Sequence, residues 1–255
     1  MCLLVVAWQA DPELPLVLAG NRDEFHHRPA APAGWWEAPG GVVGGRDLEA
    51  GGSWLALHRS GRIAVVTNFR EPLADSPGRR SRGELVVGAV TSEGPLEAWL
   101  NRLAGRGDDY GGFNLVVGDG RELHVVSNRG GDRRCLPPGV YGLSNHLLDT
   151  PWPKVAAAKA RLRRWLADPR RDREGLFGIL ADRQPAPDDE LPDTGVPEAW
   201  ERLLSSAFIV SPRYGTRAST VVLVRADGGT ELVERRFAPD GSCTGESAFE
   251  VPGPS

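Results

Sequence analysis

Lysine is almost missing from this 255-residue chain: Lys154 and Lys159 are the only two, and arginine carries nearly all the positive charge. Abundant glycine and alanine accompany that bias, which reads as genome composition and carries no functional weight. The net charge of −4 gives no basic surface for nucleic acid. Cysteine is equally scarce. Cys2, Cys135 and Cys243 stand far apart and form no CxxC pair. That spacing argues against a disulfide framework or a zinc site, and the count fits a reducing compartment. No apolar run approaches the ~18 residues of a membrane span. The opening "MCLLVVAWQADPE" has no basic head or cleavage site, so a cytoplasmic protein is expected.

What is present is ordinary for a folded globular protein: 40% apolar and 25% charged residues, in a chain long enough to bury a core. Cys2–Trp8 and Leu16–Ala19 are apolar runs of strand length around the turn "QADPELP". They predict a hairpin that delivers "GNRDEF" just beyond its second strand. Residues 28–52, rich in glycine and holding Trp35 and Trp36, read as irregular loop with one short strand. "SWLALH" and "RIAVVTNF" around "RSG" predict a second hairpin.

Helices are expected at "RSRGELVVGAVTS" and at "GPLEAWLNRLAG", where Leu96, Trp99, Leu100 and Leu103 recur at helical spacing. Strands return at "GGFNLVVGD", "RELHVVSN" and "GVYGLSNH". Two further helices follow, at "PWPKVAAAKARLRRWLAD" and near "REGLFGILAD", before the loop "RQPAPDDELPDTGVP". "STVVLVRADGGTELVERRF" closes the pattern as a hairpin with Asp-Gly-Gly at its tip. Antiparallel hairpins interrupted by helix pairs predict an α+β sandwich of two sheets with helices outside, as one domain over residues 1–255.

The chemistry centres on Cys2. Removal of Met1, which methionine aminopeptidase generally performs ahead of a small residue, leaves a cysteine with a free α-amino group. That amine titrates at about 7.7–8.0, so nucleophile and general base then share one residue. Taken alone, Cys2 also reads as a small apolar residue opening a strand. The predicted hairpin returns Arg22 and Asp23 toward the Cys2 end, where Asp23 can anchor the amine; a solvated charged turn is the alternative. Asn68 and Asn145 end strands, as oxyanion donors or as turn formers. Arg217 in "YGTRAST" precedes an apolar strand and either reaches inward or is solvated.

The joint arrangement resembles the N-terminal nucleophile hydrolases of the choloylglycine hydrolase and penicillin V acylase type. More closely, the chain resembles the NRDE-motif family, the transport and Golgi organisation protein 2 type. The matching stretches are "MCLLV", "LAGNRDEFHHRPA", "GGSWLAL", "VVTNFREP", "SRGELV", "GGFNLVVGD", "YGLSNHLLDTPWPK" and "YGTRASTVVLV", which span most of the chain. The hydrolase resemblance implies a four-layer αββα sandwich of two antiparallel sheets with helices outside. It implies Cys2 as nucleophile, Asp23 as anchor of the amine and Arg22 as a supporting arginine, although the spacing of Arg22 from Asp23 departs from the usual pattern. It further implies Asn68 and Asn145 as oxyanion and orienting amides and Arg217 as an arginine near the nucleophile.

The expected reaction is hydrolysis of a linear, non-peptide amide or thioester bearing an apolar acyl group, with no cofactor and no metal. The NRDE resemblance brings a competing expectation, a non-catalytic carrier of haem or acyl-coenzyme A using the same cleft. Candidate haem ligands are then Cys2, His26 and His27. No CxxCH attachment motif is present, and adjacent histidines on a regular strand cannot both face one iron. Trp35 and Trp36 are candidates to wall an apolar pocket. The oligomeric state is left open by the sequence.

Overall fold

The computed structural model describes residues 3–72, 80–130 and 133–253. Cys2 therefore lies outside the described residues. The first strand, β1 (Leu3–Trp8), and the second, β2 (Leu16–Phe25), form the expected hairpin. β1 is an unbroken apolar run because both of its faces are covered. Leu4, Val6 and Trp8 enter one core, and Leu3, Val5 and Ala7 enter another.

Together with β10 (Gly139–Leu143), β11 (Tyr214–Val224), β12 (Thr230–Phe237) and β13 (Cys243–Val251), these strands form a six-stranded antiparallel sheet. Its order is β10-β1-β2-β11-β12-β13. The second sheet contains β3 (Ala30–Trp35), β4 (Val42–Asp47), β5 (Leu55–His58), β6 (Ile63–Asn68), β7 (Phe113–Gly118), β8 (Leu123–Ser127) and the short β9 (Arg134–Cys135). These seven strands are antiparallel and lie in chain order.

The sheets pack face to face through a core that includes Leu4, Leu18, Val43, Leu55, Val65, Val222 and Leu232. Helices α1 (Gly83–Thr91) and α2 (Leu96–Ala104) cover the seven-stranded sheet through Leu85, Val86, Ala89, Leu100 and Leu103. Helices α3 (Pro153–Ala167) and α4 (Arg173–Leu180) cover the six-stranded one through Val155, Leu162, Trp165 and Leu176. The result is the expected four-layer αββα sandwich. The Asp172 side chain caps α4 by accepting from the Gly175 N–H at 2.9 Å. A short helix, α5 (Glu198–Leu204), precedes β11. Among the described residues no helix is long and apolar enough to cross a membrane.

Three sequence expectations need correction. Residues 28–52 are not irregular loop with one strand: they supply β3 and β4, at an edge of the seven-stranded sheet. Their glycines hide the pattern because neighbours occupy the space of side chains. A Cβ on Gly45 would meet the Trp54 ring at 2.0 Å, and one on Gly44 would meet the Leu55 carbonyl oxygen at 2.4 Å. Next, β2 does not stop at Ala19 but runs on to Phe25, so Asn21, Arg22, Asp23 and Glu24 are strand residues paired with β11. Finally, Arg217 does not precede a strand. It sits inside β11, at a bulge where the register with β2 shifts between Thr216 and Ala218.

Candidate active site

The polar half of β2 survives inside a sheet because each of its side chains finds partners. Asn21, fully buried, donates its amide to the carbonyls of Leu180 at 2.9 Å and Ala207 at 2.7 Å, and accepts from the Ser219 hydroxyl at 2.6 Å. Arg22 faces the other way, toward the opposing sheet. Its guanidinium lies 4.4 Å from the Trp54 ring centroid, with Glu24 at 3.8 Å and Asp47 at 4.0 Å. Burial lowers the Arg22 pKa from its ordinary value, and the charges of Glu24 and Asp47 oppose that shift.

Asp23 is buried next to the bulge, and its Oδ1 accepts from the Thr216 hydroxyl at 2.7 Å. Thr216 Oγ1 in turn accepts from the Ile209 N–H at 2.9 Å. Alternation along the strand separates Arg22 from Asp23, so the two expected partners lie on opposite faces of β2.

Strand pairing brings the other candidates to the start of β1. Leu3 is opposite Asn21 on one side, and Leu4 is opposite Leu143 on the other. The chain leaving β10 continues as Ser144–Asn145, both buried. The Asn145 amide donates to the Asn68 carbonyl at 2.9 Å, and the Asn145 carbonyl accepts from the Arg70 N–H at 2.6 Å. The Thr67 hydroxyl donates to the Ser144 carbonyl at 3.1 Å, and Asn114 donates to the His146 carbonyl at 3.0 Å. These bonds tie the end of β6 and the start of β7 to the exit of β10, one sheet to the other. Asp23 and the Asn145–Asn68 link thus lie at the end of the sheets where β1 begins, with the Asp23 side chain on the face of β2 that Asn21 shares.

Arg217 is engaged elsewhere. Its Nη1 donates to the carbonyls of Phe25 at 3.0 Å, His26 at 3.2 Å and Arg28 at 3.2 Å, which holds the chain as it leaves β2. Arg217 is near enough to Arg22 for its charge to add to the lowering of the Arg22 pKa.

Of the haem candidates, His26 places Nε2 2.9 Å from the Ser211 carbonyl, while His27 is exposed beside the Phe25 ring. Trp35 and Trp36 do not wall one pocket. Trp36 is buried and donates to the Gly44 carbonyl at 2.9 Å, whereas Trp35 is exposed beneath Arg59.

Sequence reasoning missed Thr216, Ser219, Trp54 and Glu234. Glu234 shares the inner face of β12 with Leu232, and a charged residue at a core position of the closing hairpin was the available signal. It is 1% exposed, and its Oε1 accepts from the Ala33 N–H of β3 at 2.8 Å. Burial pushes its carboxyl up from 4.5 to about 7, against the pull of the Ala33 N–H, Arg236 and Arg22. Between those two values the folded chain holds a proton that the unfolded chain has released. Stability therefore falls as pH rises from 4.5 through about 7, and levels off above. Glu234→Gln keeps the acceptor and removes the titration. The variant is expected to lose less stability than the parent between pH 5 and pH 8, by at most about 3 kcal/mol. Denaturant unfolding at the two pH values checks this, and parallel losses in both proteins would refute it.

The family model described as Transport and Golgi organisation 2 matches residues 1–239. A Transport and Golgi organization protein 2 homolog from Bos taurus is 36% identical, with 92% of each chain covered. The Homo sapiens homolog is 34% identical over the same shares. Among solved structures, the mutant C2A conjugated bile acid hydrolase from Clostridium perfringens superposes with a TM-score of 0.54 at 8% identity. That alignment covers 98% of this chain and 92% of the other, a likeness of fold alone. The matched model and these relatives place the chain in the Transport and Golgi organisation 2 family.

Proposed function

We propose that this protein is an N-terminal-cysteine hydrolase of a linear, non-peptide amide or thioester with an apolar acyl group. It would act in a reducing, cytoplasmic setting. The observation that supports the reading is that Asp23 and the Asn145–Asn68 link lie at the end of the sheets where β1 begins. The fold shared with the conjugated bile acid hydrolase, whose name denotes action on a conjugated acid, supports the same reading.

In this mechanism removal of Met1 exposes the Cys2 amine, which Asp23, held by Thr216, anchors. The amine takes the thiol proton, and the thiolate attacks the substrate carbonyl. Asn68 and Asn145 stabilise the resulting oxyanion. Collapse expels the leaving amine or thiol with the proton from the Cys2 amine. Water then cleaves acyl-Cys2 by the same route and releases the acid. Arg22 and Arg217 contribute positive potential to this end of the sheet.

Intact mass of protein purified from cells tests the first step: the chain is expected to begin at Cys2, and full retention of Met1 would defeat the amine-base mechanism. Reactivity gives an independent check. Cys135 and Cys243 are both free and exposed, so they serve as fair controls. Brief, dilute iodoacetamide followed by peptide mapping should label Cys2 well before either of them. Equal labelling would make Cys2 an ordinary thiol and defeat the nucleophile assignment.

A further inference from the structure

The pairing of β9 with β8 brings together three chemically different donors that lie apart from the candidate active site. His124 on β8 is directly opposite Cys135 on β9, and Glu122 stands two residues before His124. A carboxylate oxygen of Glu122, a ring nitrogen of His124 and the Cys135 sulfur all lie within 4.8 Å of one another. Glu122 Oε2 is 2.9 Å from His124 Nε2, and both Glu122 and Cys135 are exposed to solvent.

His124 is the unusual member. Only 3% of it is exposed, and its Nδ1 is buried with no hydrogen-bond partner among the described residues. No protonation state satisfies the ring. A proton on Nε2 serves Glu122 but leaves Nδ1 a buried lone pair, and a proton on Nδ1 makes it a buried donor with nothing to accept. The nitrogen that faces Glu122 is Nε2, so Nε2 is the ring atom available to a cation shared with the carboxylate and the thiol.

We infer that Glu122, His124 and Cys135 form a binding site for a thiophilic divalent cation of the zinc class. Sulfur, imidazole and carboxylate are the donors such an ion takes, and three protein ligands leave a fourth position for water. Binding converts the Cys135 thiol to thiolate and releases its proton to solvent. The hairpin is anchored well enough to hold the donors. Arg133, just before β9, donates to Asn101 at 3.0 Å and Glu97 at 2.9 Å on α2. A bound ion would pin the two-residue strand β9, the exposed last strand of its sheet, to β8. Residues 122, 124 and 135 form no spacing motif, because strand pairing rather than the interval brings them together.

The test uses the full-length, reduced, metal-free chain titrated with Co2+ as the probe. One equivalent should produce a thiolate-to-cobalt charge-transfer band, and excess Zn2+ should remove it. Cys135→Ser, at an exposed position that does not threaten folding, should abolish the band. Cys243→Ser and Cys2→Ala should keep it, and His124→Gln should lose it while circular dichroism verifies the fold. Absence of a band in the parent chain, or its survival in Cys135→Ser, would overturn the site.

Discussion

Cys2→Ala is expected to abolish cleavage of every acyl amide or thioester that the parent chain turns over. The loss should be on the order of 10⁴-fold or more, because no other group can form the covalent intermediate. The fold should be kept, since alanine, like cysteine, is small and apolar. The parent protein, quenched in acid during turnover, should carry an acyl group on Cys2 that mass spectrometry locates. Saturable binding of haem or acyl-coenzyme A, with no acyl-enzyme across a broad amide and thioester panel, would replace the hydrolase with a carrier. In that case loss of the haem Soret shift in His26→Ala, His27→Ala or Cys2→Ala would identify the ligand.

Arg70→Met should be the most destabilising substitution near the candidate site that leaves its candidate residues intact. Arg70 and Glu201 form an ion pair in which the side chains are 6% and 4% exposed. The Glu201 carboxylate also accepts from the Thr194 N–H and hydroxyl, and the Arg70 guanidinium stacks 4.7 Å from the Trp152 ring centroid. Removing the arginine leaves a buried carboxylate without its counter-charge, at a cost of about 3–5 kcal/mol. Arg70→Met combined with Glu201→Met should recover part of that loss, because the stranded charge disappears with it. A single variant within about 1 kcal/mol of the parent would show that solvent already screens this pair. Because the Arg70 N–H bonds Asn145, loosening here should also reach the Asn145–Asn68 link.

The sandwich was legible wherever one physical signal dominated. α2 announced itself through Leu96, Leu100 and Leu103, and the β11–β12 hairpin through apolar runs on either side of its turn. β3 and β4 were illegible because Gly44 and Gly45 give their side-chain space to Leu55 and Trp54, which leaves no alternation to read. β13 was missed for a different reason: its residues are mostly exposed or half-buried at a sheet edge, so no apolar face marks it. At the candidate site, family resemblance singled out Asp23, Asn68 and Asn145. The bond from Asn145 to Asn68 joins two sheets, and no local pattern encodes a contact across 77 residues. Arg217 shows the limit of such transfer, since its three carbonyl acceptors follow from a bulge that the sequence does not announce.

The partners of Asn21 bear on how the four-residue stretch Asn21–Glu24 should be used to trace ancestry. Asn21 fastens β2 to the end of α4, to the segment before β11 and to β11 itself through Leu180, Ala207 and Ser219, and none of these contacts involves a reacting group. Arg22 is likewise braced by Trp54 and flanked by Glu24 and Asp47. A descendant that had abandoned catalysis would still need both residues to fold. Retention of both residues in a relative would therefore record inheritance of the architecture, and a surviving enzyme would have to be recognised by Cys2 and Asp23 instead.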